Sequence, residues 1–246
     1  MLEESALLIF AAGAVTAGFV AGLTGLGTAL TALAFWLHVT TPQVAVPIAA
    51  AVAVTSHIVT LTFIRQGIFW PRLWPFLVGG LIGLPLGVWL LNFLSTEAAK
   101  LGLGVFLILY CSYGLSVKTP PVVAAGGRVL DGAAGSLGGV LGGLAGVSGP
   151  VPTIWCGLRG WPKDEQRGVF QPFNLVILLL SVVGHAGNGR YIEIDWQTIV
   201  MALVLGALGS VAGILVYRRT SDKNFRRIVL SLLLIGGITH IAAAIA

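Results

Sequence analysis

Two short stretches hold the residues best suited to chemistry in this chain: GLTGLGT at 22–28 and GLAGVSGPVPT at 143–153. Glycine reaches positive φ and lets a ligand approach the backbone. A helix that breaks at Gly22, Gly25 and Gly27, or at Gly143, Gly146 and Gly149, acquires new ends. The N-terminal end of the arm that follows points free N–H groups and partial positive charge into the protein. Thr24 and Thr28 in one stretch, and Ser148 and Thr153 in the other, add hydroxyl donors. Two such ends facing each other make an anion site that needs no metal. Pro150 and Pro152 have no N–H to give, which suits the first turn of a helix starting after Gly149. The competing explanation is close helix packing through small residues four apart, as in Gly18 and Gly22 or Gly139 and Gly143. That explanation leaves the two prolines in mid-segment without a role.

Other polar residues fall within apolar sequence. Gln171 and Asn174 follow the second glycine stretch by a short loop, and they are expected to line the same cavity and hydrogen-bond a polar substrate. The competing role is a hydrogen bond between helices. His57 and His185 are candidates for a coupled proton, because imidazole titrates near neutrality. The competing role for each is a satisfied buried polar group. No acidic residue falls at the centre of an apolar segment, which argues against a carboxylate proton relay. Cys111 and Cys156 lie in apolar sequence at no metal-binding spacing, and neither a metal nor a cofactor is expected.

The elements that must hold these residues are membrane segments. Of the 246 residues 57% are hydrophobic and 9% charged, against about 25% charged in soluble domains. The class is an all-α polytopic membrane protein, with the lipid bilayer as its surroundings. The net charge of +5 needs no nucleic-acid partner, since basic loops facing the cytoplasm account for it. Apolar stretches fall at about 5–37, 43–64, 73–93, 99–117, 129–157, 168–187, 197–217 and 225–245. The first and fifth exceed the roughly 20 residues of one span, and these hold the glycine stretches. The N-terminus has no basic region before its apolar run and reads as a first membrane segment rather than a cleaved leader.

The chain also reads as a duplication. Gly22, Gly25 and Gly27 fall over Gly143, Gly146 and Ser148 at an offset of 121. Pro47 over Pro172, Ser56 over Ser181 and Arg65 over Arg190 give 125. Trp70 over Trp196, and Gly80, Gly83 and Gly87 over Gly206, Gly209 and Gly213, give 126. These later glycine triplets carry no breaks and are assigned to packing. If the two long segments each cross once, Lys and Arg divide nine to five between the two sides of the membrane. If each is a hairpin that returns to its own side, they divide twelve to two, the cleaner positive-inside signal. The expectation is therefore about eight segments in two inverted repeats, with segments 1 and 5 broken or re-entrant. Residues 1–117 form the first repeat, 118–128 a cytoplasmic linker and 129–246 the second repeat. Both termini are then extracytoplasmic.

The paired motifs GFVAGLTGLGTAL (18–30) and GGVLGGLAGVSGP (138–150), in a chain of about eight apolar segments, resemble the TauE/SafE family, also called the toluenesulfonate uptake permease family. The first copy has Thr28 where the family often shows a second glycine, and the second reads Ser148-Gly149-Pro150. The resemblance implies transport of small sulfur-containing anions, such as sulfite, sulfoacetate or related sulfonates, across the cytoplasmic (inner) membrane. Export by alternating access is the expected mode, and a second copy of the chain is a candidate partner. Two other functions compete. One is a passive anion channel. The other is an intramembrane serine protease, since Gly146-Val147-Ser148-Gly149 matches the GxSG tetrapeptide of rhomboid-type enzymes and His185 would serve as its base. The duplication speaks against a protease, because Ser148 aligns with Gly27. The expectation is that the protein is not an enzyme.

Overall fold

The computed structural model describes residues 4–63, 68–116, 122–123, 125–161, 163–192 and 194–217, with six further positions between 231 and 241. Among the described residues the elements are α-helices and one 3-10 turn, with no strand. Both overlong segments break at their glycines. Helix α1 (Glu4–Thr24) gives way to α2 (Thr28–Trp36), and α6 (Gly127–Ala145) gives way to α7 (Pro150–Leu158). Gly25 (φ 72°) and Gly146 (φ 67°) each stop the first arm in the left-handed region, where a side chain would strain the backbone.

Each second arm then folds back along its first. Trp36 Nε1 donates to the Phe10 carbonyl oxygen at 3.1 Å, and the two rings stack with centroids 4.8 Å apart. Trp155 Nε1 donates to Asp131 Oδ1 at 2.7 Å. Phe10 and Asp131 are themselves 121 residues apart, the offset that aligns the glycine motifs. Both segments are thus hairpins clasped by an indole near the end of the returning arm. A single kinked span would have carried Trp36 away from Phe10.

Between and after the hairpins lie α3 (Pro42–Phe63), α4 (Trp70–Leu90) with its 3-10 extension Leu91–Phe93, α5 (Thr96–Ser116), α8 (Lys163–Gly187) and α9 (Trp196–Tyr217). The duplication persists in detail. Pro47 and Pro172 sit inside α3 and α8, and Trp70 and Trp196 open α4 and α9.

The glycine triplets join one half to the other. The carbonyls of Gly206 and Ser210 press on Gly18 and Gly22, and those of Val15 and Phe19 press on Gly209 and Gly213. Helix α9 therefore runs parallel to α1. In the same way the carbonyls of Gly132, Ser136 and Val140 press on Gly79, Gly83 and Gly87, so α6 runs parallel to α4. None of these positions has room for a Cβ. Small residues bring the backbones together, the main source of helix association where lipid removes the hydrophobic drive. Directions follow from further contacts. Gly80 packs on Phe173 and Ile177, and Gly184 on Val88, so α8 is parallel to α4. The Tyr191 hydroxyl, just past α8, donates to the Pro47 carbonyl near the start of α3 at 2.8 Å, so α3 is antiparallel to α8. The short turn after α8 reverses α9, and with it α1, relative to α8. Helices α1 and α6, the equivalent first arms, thus point in opposite directions, and the repeats are inverted.

Among the described residues five helices are long and apolar enough to cross a membrane: Ala6–Thr24, Pro42–Thr62, Trp70–Phe93, Gly168–Gly187 and Trp196–Val216. The expected eight spans are not reached among the described residues. The fourth segment contributes the shorter apolar helix Gly104–Ser116, and most of 225–245 lies outside the described residues. Arg65, Lys118, His240 and the basic run 218–227 also lie outside them. Cys111 and Cys156 are buried and unbonded, as packing residues would be.

Candidate functional site

The two breaks meet. The Leu26 side chain lies against Gly149 and the Ala29 methyl against Gly146, leaving Gly149 no room for a Cβ. Between the breaks is a cavity whose walls include Gly27, Thr28, Ala29 and Leu30 from the first hairpin and Gly146 to Pro150 from the second. Helix α3 adds Ala53 and His57, and α8 adds Asn174 and Leu178. These four positions fall near the middle of their helices, so the cavity lies at mid-depth. About 20 Å³ is open to the centre of a water-sized sphere, and a single water needs roughly 10–15 Å³ on that measure.

The sequence-predicted residues divide into three groups. Gly27, Thr28, Gly146, Ser148, Gly149, Asn174 and His57 line the cavity. Gly25, Thr24, Thr153 and Gln171, on the same elements, are not among its lining residues. Gly25 supplies the left-handed turn. Thr24 Oγ1 lies 2.8 Å from the Val20 carbonyl and 2.7 Å from that of Leu26, and it accepts the Leu26 N–H at 3.0 Å. Its hydroxyl thus ties off the end of α1 instead of facing a ligand. Thr153 Oγ1 and Gln171 Nε2 are buried without a hydrogen-bond partner. The third group is elsewhere: Gly22 and Gly143 sit in the contacts with α9 and α4, and His185 is fully buried on α8 away from the cavity walls.

The lining presents donors. The first turn of α2 leaves the N–H groups of Gly27, Thr28, Ala29 and Leu30 without a carbonyl of their own helix, because the first to find one is Thr31, bonded to Gly27 at 2.9 Å. Thr28 Oγ1 is buried there, 2% exposed, with no hydrogen-bond partner. The first turn of α7 offers fewer, since Pro150 and Pro152 have no N–H and Thr153 already bonds Gly149 at 3.0 Å. Ser148 Oγ donates to Asn174 Oδ1 at 3.0 Å, which fixes the Asn174 amide. Three carbonyls near the ends of the first arms are already bonded. Gly25 N–H goes to Ala21, Gly146 N–H to Gly142 and Val147 N–H to Leu141, while Ser181 Oγ donates to Gly142 at 3.1 Å. Among the described residues no carboxylate lines the cavity. The hydroxyl of Ser148 is committed to an amide oxygen and not to a histidine, so the nucleophile–base pair required by the tetrapeptide is not formed. Among the described residues no cluster of metal ligands occurs.

A second polar group escaped the sequence reading. Asp131, 4% exposed on α6, accepts from Trp155 and lies 3.4 Å from Arg159 Nε. Nearby, Arg72 pairs with Glu165 and its guanidinium lies 4.6 Å from the centre of the Trp161 ring. The cluster ties α4, α6, α7 and α8 together at the end of the second hairpin remote from the break. The available signal was the 121-residue offset, which sets an acid opposite Phe10.

Fold and site together define a multi-pass membrane protein with inverted repeats whose broken helices converge on an uncharged, donor-rich cavity. A family model described as Sulfite exporter TauE/SafE matches residues 9–239. The chain belongs to that family, a family of transporters and not of enzymes. Among curated proteins and among solved structures nothing matches.

Proposed function

We propose that this protein is a secondary transporter that exports small sulfur-containing anions, sulfite, sulfoacetate or related organosulfonates, across the cytoplasmic membrane by alternating access. The observation that carries the reading is the meeting of two helix N-termini at mid-depth around the unpartnered Thr28 hydroxyl, with no carboxylate among the lining residues. Helix N-termini favour anions through N–H groups and dipole together, and inverted repeats with broken helices are a recurring architecture for carriers. The room available suits about one water, so a sulfur oxyanion enters only when one hairpin shifts against the other. In this reading 118–128 faces the cytoplasm and both termini lie outside, which puts Arg72, Arg128, Arg159, Lys163 and Arg167 on the cytoplasmic side. A homodimer is compatible with this arrangement and is not required by it. Purified protein in liposomes preloaded with sulfite tests the proposal. Saturable efflux that accelerates when unlabelled anion is present on the far side supports a carrier. Efflux that neither saturates nor accelerates points to a channel.

A further inference from the structure

Resting on the anion site just proposed, we infer that the cavity selects singly charged oxyanions, hydrogen sulfite and alkyl sulfonates without a second charge, over dianions such as sulfate, fully ionised sulfite and sulfoacetate, whose carboxylate is ionised at neutral pH. The first ground is a charge inventory. No lysine or arginine lines the cavity among the described residues, and His57 is the one titratable group that does. The positive potential comes from the N-termini of α2 and α7, each equivalent to roughly +0.5 of an elementary charge. Together they offset about one negative charge. The C-terminal ends of α1 and α6 lie at the same breaks and subtract from that sum, so one charge is its upper bound. A second negative charge would sit unbalanced in a buried site, where an unpaired ion is heavily penalised.

The second ground is independent of dipoles. The Thr28 hydroxyl, 2% exposed and without a partner, is the free side-chain hydroxyl of the lining, whereas Ser148 is bonded to Asn174. A hydroxyl both donates and accepts, so it pairs with an S–O⁻ oxygen or with the S–OH of hydrogen sulfite. The lining also includes the hydrocarbon side chains of Leu26, Leu30, Val147 and Leu178. These suit the carbon substituent of a sulfonate and give no hydrogen bond to the fourth oxygen of sulfate. The groups that would neutralise a dianion, Arg72 and Arg159, are held by Glu165 and Asp131 in the cluster at the far end of the hairpin.

Calorimetric titration of the purified full-length protein with methanesulfonate and with sulfate, at neutral pH and matched ionic strength, tests the inference. Methanesulfonate should bind at least about tenfold more tightly, about 1.4 kcal/mol. Sulfate binding as tightly or more tightly would overturn the charge selection while leaving the anion site standing. Failure of methanesulfonate, hydrogen sulfite and sulfate alike to bind would overturn the site itself. A His57→Arg variant, checked for folding by its melting curve, adds a guanidinium that stays charged to the lining. Its affinity ratio should move toward sulfate, and an unchanged ratio in the folded variant would refute the charge inventory.

Discussion

The two hairpins share a backbone plan and differ in the chemistry hung upon it. Each ends its first arm at a left-handed glycine, Gly25 or Gly146, and each is clasped by a tryptophan onto equivalent residues, Phe10 or Asp131. Yet the first hairpin presents backbone donors and an unpartnered hydroxyl at its break, and closes its other end with two stacked, fully buried rings. The second has prolines where donors would be, ties its serine to Asn174, and closes its other end with an acid, an arginine and an indole. Duplication preserved what geometry demands, the turn and the clasp. It released what geometry tolerates, and the unpartnered hydroxyl stands on one hairpin while the charged latch stands on the other.

That contrast can be attacked at several points. The largest effect should come from the shared geometry. Gly25→Val and Gly146→Val each force a branched side chain into the left-handed region and should abolish sulfite flux in liposomes while the protein still inserts in the membrane. Normal transport by both variants would show that the breaks are not the site. Next comes the latch. Asp131→Ala removes the anion beside Arg159 and leaves the part-buried Trp155 N–H without its acceptor, and should cost about 3 kcal/mol in thermal or denaturant unfolding. The matching change in the uncharged clasp, Trp36→Phe, removes one hydrogen bond and part of a fully buried ring and should cost about 2 kcal/mol. Equal losses at the two clasps would erase the distinction between them. Thr28→Val keeps shape and removes the free hydroxyl, and it should weaken anion binding about tenfold by titration. Ser148→Ala should be the mildest, with an affinity change of about threefold or less, since its hydroxyl already serves Asn174. Ser148 losing more than Thr28 would reverse the assignment of roles.

The breaks and the duplication were legible because glycine and proline act locally, and local signals survive in a single sequence. The positive charges distinguished hairpins from kinked spans because each topology sorts them differently. Partner choice was not legible. Gly22 and Gly143 look like binding glycines, yet they press on α9 and α4, and nothing in GLTGLGT tells a glycine that admits a ligand from one that admits a neighbouring helix. Thr24 was a plausible donor until its hydroxyl was found closing its own helix. The Asp131 latch was missed because its partners are distant in sequence. It shows itself only when the repeat alignment extends back from the glycines to Phe10.

The exchange of first arms between halves has a consequence for how the molecule is made. Helix α1 meets its glycine-matched partner α9 only after Gly206 has followed Gly18 out of the ribosome, 188 residues later by their numbering. At about 5–20 residues per second, that delay is about 10–40 s. Through that interval the glycine ridge of α1 lacks its matched partner, and the first hairpin, though it can already pack on α3, stays open on that side until the last third of the chain arrives to close over it.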